Sequence, residues 1–226
     1  MDLAFMWNIL PSILEKLPIT LVIFALSLVI ALVVSVLLTI LRLKRIPVIN
    51  QIVEVFISFL ISNPGIIHIF VVYYGIPMLL APFGINVNAI DKIYFAIIAL
   101  AIYNAGFMSQ ILKPSYEAVS DDQMEAALSI GYTERQANWR IVFPQVLPIA
   151  LPSMSNAIVE LFKDTSIVFL IGIVDMMGQA DIIIANNLGL YQLEVYVVIG
   201  LIYWAISSIL TFATGRLEKY TAQYVE

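Results

Sequence analysis

From Ile19 to Leu41, 23 consecutive residues carry no charge. At the 1.5 Å rise of an α-helix such a run spans roughly 34 Å, enough to cross the hydrocarbon core of a bilayer with some tilt. Lipid offers the backbone no hydrogen bonds, so a lone segment crosses it only as a helix, which bonds every N–H and C=O internally. The composition supports this solvent. The chain of 226 residues is 62% hydrophobic and 12% charged, about half the charged fraction of a soluble domain. There are no cysteines, which excludes a disulfide framework and thiol chemistry. The net charge of −5 says little, because a membrane chain is read from where its charges sit.

The pattern predicts an all-α integral membrane protein, one domain over residues 1–226, with five spans at about 19–41, 52–80, 93–112, 145–173 and 195–215. Before the first span, "LAFMWNILPSIL" reads either as a helix lying at the membrane interface or as a frayed start. The second span is expected to be one broken or kinked helix. "SNPG", Ser62 to Gly65, interrupts it, and Pro64 removes a backbone donor and frees carbonyls nearby. The loop "APFGINVN" follows. With "RLKR" (Arg42, Lys44, Arg45) in the cytoplasm, Lys113, Arg135, Arg140, Arg216 and Lys219 join it, eight of the eleven basic residues. The positive-inside rule then sets the N-terminus outside and the C-terminus inside.

One polar insert separates the third and fourth spans. Asp121 or Asp122 is expected to cap a first helix over Gln123 to Ile130, about 122–131 with its flanks. Gly131 follows as the residue that tolerates positive φ. Thr133 opens a second helix, with Gln136 completing a capping box. Ala126 and Ala127 keep the first helix slim, and Glu125 can accept charge-assisted hydrogen bonds. Such a helix suits a groove on another protein, or it is a loop helix packed under the spans.

The residues of this insert carry a resemblance. "EAALSIG" (Glu125, Ala126, Ala127, Gly131) followed by "IVFP" (Ile141, Pro144) resembles the EAA motif of binding-protein-dependent ABC importer permeases. "VVYYGIP", "LFKDTSIVFLIGIVDM" and "EVYVVIGLIYW" resemble their polar amino-acid branch, which includes histidine, glutamine and cystine permeases. The resemblance covers about Ile52 to the C-terminus. It implies a type I importer permease fold in a bacterial cytoplasmic membrane, with the insert as the cytoplasmic coupling helix. It also implies a second permease chain, two ABC ATPase subunits and a solute-binding protein as partners, and no nucleic acid. The chain has no GxxxxGK[ST] phosphate loop, so it is expected to be no enzyme and to bind no cofactor, with ATP and Mg used by the partner ATPases. The solute implied is a polar or sulfur-containing amino acid such as cystine, or alternatively a non-amino-acid solute.

Ionisable groups inside the membrane are costly, so Glu160, Lys163 and Asp164 should face protein or a cavity. They read as solute path or gate, or as a structural ion pair, Glu160 and Lys163 being three apart on one helix face. His68, one turn past the Pro64 break, joins Asn63, Asn104 and Gln110 as candidates for the path, or for interhelical hydrogen bonds. Lone His68 has no partner ligands for a metal. The branch commonly has Arg-Gly-Thr-Pro where this chain has Ile61, Ser62, Asn63 and Pro64, and Gln where His68 stands. It commonly has Ala-Glu-x-x-Arg-Gly where Ala105 to Gln110 stand. Those losses imply a different solute, or a half that does not bind it. A secondary transporter or small channel is the rival class. Its mark would be carboxylates on two broken helices in inverted repeats, and the sequence offers one broken helix and no repeat.

Overall fold

The computed structural model describes residues 1–44, 46–87 and 89–222. Arg45 of the "RLKR" group, Asn88 and residues 223–226 lie outside the described residues. In chain order the α-helices are α1 (Leu3–Leu14), α2 (Leu17–Leu43), α3 (Pro47–Ser62), α4 (Gly65–Leu80), α5 (Lys92–Glu117), α6 (Asp121–Ser129), α7 (Glu134–Ala137), α8 (Phe143–Asp164), α9 (Met176–Asn186) and α10 (Gln192–Ala222). Among the described residues five helical runs are long and apolar enough to cross a membrane: Leu17–Leu43, Gly65–Phe83, Lys92–Glu117, Glu134–Ile171 and Gln192–Thr221. Each run but the second overshoots its uncharged core, because helical hydrogen bonding continues past the last apolar turn.

The second span is two helices. Asn63 and Pro64 both sit in extended backbone, with ψ of 144° and 146°, between α3 and α4. Pro64 has no N–H to donate and disfavours helical geometry at the residue before it, so the ladder stops there instead of bending. Helix α3 starts at Pro47, earlier than the expected Ile52, because proline suits a first helical turn.

Helix α5 is the central post, packed by α2, α3, α4 and α8. The α2 face buried against it carries Ser27, Ala31, Ser35 and Thr39, small residues four apart. Lipid supplies no hydrophobic drive between helices, so such a seam holds by close backbone approach and polar contacts. Ser27 Oγ donates to Ile97 O at 3.3 Å, and Thr39 Oγ1 lies 3.2 Å from Ser109 Oγ. Helix α3 seats against Gly106, where a Cβ would come within 3.0 Å of Leu60 Cδ1.

Helix α1 is a formed helix. Asp2 caps it, accepting from Phe5 N at 3.0 Å, and it packs on α9 and α10 with Ile9 and Ile13 buried. The sequence reading gave no helix for residues 176–186, where α9 forms. Asp175, fully buried, caps α9 by accepting from Gly178 N at 2.9 Å. Burial pushes its carboxyl above the usual range, and the backbone donors pull it back.

Candidate functional site

Helix α6 stands out from the bundle. Of its nine residues only Ala127 is buried, while Glu125, Ala126 and Leu128 are exposed. The cap is Ser120, whose Oγ accepts from Asp122 N at 3.3 Å, and not an aspartate. Asp121 and Asp122 instead occupy the first turn, where their charge suits the positive helix end. The helix therefore begins two residues before Gln123.

At the other end Gly131 has φ of +93°. Gly131 N donates to Leu128 O at 3.0 Å and Tyr132 N to Ala127 O at 3.1 Å, the paired bonds of a Schellman stop. Ile130, at the stop, is 75% exposed. The sequence reading passed over Ile130 and Leu128. Their position on the one helix with little core to pack against was the available signal.

The capping box at Thr133 forms, with Thr133 N donating to Gln136 Oε1 at 3.0 Å and Gln136 N to Thr133 Oγ1 at 3.3 Å. The second helix has no stop of its own. It runs through a π turn, Asn138–Val142, directly into α8. Pro144 cannot donate to the turn before it, and the widened π turn accommodates that loss. The insert is thus one short, largely exposed helix, tied to α8 by Gln145 Nε2 donating to Gln123 Oε1 at 3.4 Å, plus a continuous helical extension of the fourth span.

Along α8, Pro144, Pro148, Pro152, Asn156 and Glu160 recur every four residues and are exposed or half-buried, while Val146, Ala150 and Met154 are buried. Lys163 bonds Glu160, and both side chains stay open, at 49% and 63% exposed. Asp164 turns inward and accepts from Asn104 Nδ2 at 3.1 Å. Asn104 is buried and also donates to Leu100 O. Asn156 was not singled out from the sequence, though it continues the four-residue spacing of the prolines.

The residues at the break bond locally. Asn63 Nδ2 donates to Phe59 O, one turn before the break, at 2.8 Å. His68 Nδ1 lies 3.2 Å from Pro64 O, which already accepts from Ile67 N at 3.0 Å. His68 is 5% exposed, its ring against Phe59 and Tyr103, and its Nε2 has no hydrogen-bond partner among the described residues.

Gln110 lies elsewhere, accepting from Arg42 Nη2 at 3.3 Å. Arg42 is 4% exposed and also reaches Glu54 (Nε to Oε1, 2.9 Å), Ser109 O and Ser109 Oγ. Lys113 approaches Glu54 at 3.8 Å. From the sequence Arg42 was read only as a topology charge, since a span-end arginine gives no local sign of turning inward. Among the described residues no three His, Asp or Glu side chains gather as metal ligands.

Residues 3–223 match the family described as binding-protein-dependent transport system inner membrane component. The chain belongs to that family. It is an ABC importer permease of the polar amino-acid branch. The L-cystine transport system permease protein TcyL of Bacillus subtilis is 36% identical over 218 residues, 96% of this chain and 90% of TcyL. The probable amino-acid ABC transporter permease protein PatM of Vibrio harveyi is 32% identical over 222 residues, 96% and 97% of the two chains. A crystal structure of an amino acid ABC transporter with histidines superposes with a TM-score of 0.82 at 25% identity, covering 97% of this chain and 99% of that one. The inward-facing MetNI methionine ABC transporter shares the fold, with a TM-score of 0.67 at 20% identity. The permease is a multi-pass membrane protein with the type I importer fold. Its family is one of permease subunits, not ATPases.

Proposed function

We propose that this permease couples separate ATPase subunits to amino-acid import through α6. The observation that carries the reading is a helix capped at both ends, with Glu125, Ala126, Leu128 and Ile130 exposed beside a continuous helical extension of the fourth span. Seated in a cleft of an ATPase subunit, α6 would pass motion through α7 and the π turn straight into α8. Two ATPases holding ATP and Mg would draw two such helices together and rock the spans outward, and hydrolysis would reset them. Binding of ATP then shifts an equilibrium between two arrangements.

Five spans are too few to enclose a polar path, so a second permease chain, identical or different, faces this one. The row Pro144, Pro148, Pro152, Asn156 and Glu160 on α8 is our choice for the face across that gap, with Lys163 beside it. Pro148 and Pro152 each leave a carbonyl one turn back without its helical donor. Those carbonyls and Glu160 suit an ammonium group, and Lys163 suits a carboxylate. Asp164 and Asn104 hold α8 to α5 behind this face. Asn63 and His68 shape the break, and Gln110 belongs to the Arg42 cluster, so none of the three leads the list for solute contact.

The solute we favour is a polar or sulfur-containing amino acid such as cystine, in keeping with the name of TcyL. A solute-binding protein would deliver it from the side of the N-terminus. The orientation, eight basic residues inside, supports a bacterial cytoplasmic membrane with α6 in the cytoplasm.

The test is assembly. Glu125→Lys and Ile130→Asp, made singly in the purified importer, should each leave the permease membrane-inserted and reduce the ATPase that co-purifies. Solute-stimulated hydrolysis should fall with it. Normal co-purification and stimulation in both variants would remove α6 from the coupling role.

A further inference from the structure

The turn between α9 and α10 holds a strained residue. Leu188 has φ of +52° and is the only non-glycine with positive φ among the described residues. It sits at the stop of α9, where Leu188 N donates to Ala185 O and Gly189 N to Ile184 O, both at 3.0 Å. That is a Schellman stop, whose left-handed position usually goes to glycine. Glycine stands one residue late, at Gly189. The turn therefore holds a branched side chain in a region that L-residues disfavour. It gains no burial in exchange, since Leu188 is 90% exposed and Leu190 79% exposed. Backbone strain that presents apolar side chains outward calls for a surface beyond the chain.

The surroundings of the turn identify that surface. Phe5 of α1 stacks on Tyr191 with ring centres 4.1 Å apart, and Asp2 N donates to Glu194 at 3.2 Å, so the start of α1 lies beside the turn. Between Asp2 and Glu15, and again between Asp181 and Glu194, the chain carries no charge. Leu3, Trp7 and Leu193 are exposed in these two segments. A groove between α1 and α10, lined by Leu3, Trp7, Leu201 and Ile206 among others, has no charged residue in its lining. Leu201 and Ile206 belong to the fifth membrane-crossing run, Gln192–Thr221. The exposed apolar surface around the turn is thus continuous with that of a span. A docking surface for a soluble protein carries a polar rim, whereas an uncharged strip with an exposed Trp at the start of a span suits the membrane–water interface.

We propose that the α9–α10 turn and the outward face of α1 form one membrane anchor, with Leu188, Leu190 and Trp7 seated at the headgroup boundary of the leaflet on the N-terminal side. Burial in lipid offsets the strain at Leu188. It also fixes the depth of α9, which is too short to span and is held otherwise by packing alone. The anchor selects no headgroup charge, because it presents none.

The test is the depth of the turn. In the full chain carrying Trp7→Phe, Trp139→Phe and Trp204→Phe, Leu188→Trp supplies the only tryptophan, and the protein is reconstituted in phosphatidylcholine bilayers. Phosphatidylcholine brominated high on the acyl chain should quench the fluorescence severalfold more than phosphatidylcholine brominated near the chain end. Acrylamide should quench it severalfold less than it quenches the tryptophan of Ile130→Trp on α6 in the same background. Leu190→Trp should repeat both results, which keeps the test open if Leu188→Trp does not fold.

Free access to acrylamide with no quenching by either brominated lipid would overturn the anchor and make the turn a surface for a soluble partner. Protection from acrylamide and from both lipids would place another protein chain over the turn and overturn the anchor equally.

Discussion

Gly131 allows the coupling reading to be tested without touching a contact. Its φ of +93° is in the left-handed region, and a Cβ built there meets nothing within 4 Å. A substitution therefore acts through the backbone and not through a clash. An L-residue held in that region costs roughly 1–2 kcal/mol, less for Asn, more for a β-branched residue. Helix α6 has little to set against this, since only Ala127 of its nine residues is buried. A cost of ~1.4 kcal/mol shifts the population of the Schellman-stopped form about tenfold. Transport and solute-stimulated ATPase of the reconstituted importer should then fall in the order Gly131, Asn, Ala, Val, with Ala down by about fivefold to thirtyfold and Asn nearest to wild type. Equal activity across the series would refute the argument. So would an Asn variant as poor as Val, because the defect would then follow side-chain size and not φ.

Three further perturbations bear on other parts of the molecule. Ala89→Cys should react in intact cells with an impermeant thiol reagent and Gln136→Cys only after the cells are opened; the reverse pattern would invert the orientation. Arg42→Met leaves Glu54 without its main partner, and because the Glu54 side chain is 38% exposed the cost should be about 2 kcal/mol, below the ~3–5 kcal/mol of a fully buried pair. That loss reads out as a lower Tm of the purified permease in detergent, and an unchanged Tm would show that the cluster is not structural. On α8, Asn156→Cys should be labelled by a water-soluble maleimide in the assembled importer while Val33→Cys on α2 is not; equal labelling of the two would mean that the α8 row faces lipid.

The five spans were legible because charge-free runs of about 20 residues have one explanation in a bilayer. The stop at Gly131 and the capping box at Thr133 were legible for a similar reason, since each rests on residues within a few positions of one another. What escaped was the long-range use of polar side chains. Arg42 and Lys44 are two apart in the same basic cluster, yet one is buried across three helices and the other is exposed. Only the packing of α2 on α3 and α5 separates them. The α2–α5 seam was half-visible, because Ser27, Ala31, Ser35 and Thr39 repeat every four residues in a run otherwise rich in Leu, Ile and Val. Read as a small-residue stripe, it would have named the buried face of α2. Helix α9 was missed because 11 residues are too few for a span, and nothing local marks them as docked on α1 and α10.

The second span shows why a polar residue near a break is weak grounds for a binding site. A proline in mid-membrane creates carbonyls without donors, and a buried carbonyl left unpaired costs about as much as a lost hydrogen bond. The cheapest donors are side chains already within a turn. Asn63 reaches back to Phe59 O and so supplies a carbonyl one turn before the break before any solute arrives, while His68 makes a second contact to Pro64 O, which already accepts from Ile67 N. Helix α8 meets the same difficulty at Pro148 and Pro152, beyond the π turn that absorbs the loss at Pro144. The row that begins at those prolines ends at Asn156 and Glu160, exposed on the isolated chain. The same chemistry that consumes polar groups at the α3–α4 break thus leaves them available on α8, which is why the path is better sought on the fourth span than on the second.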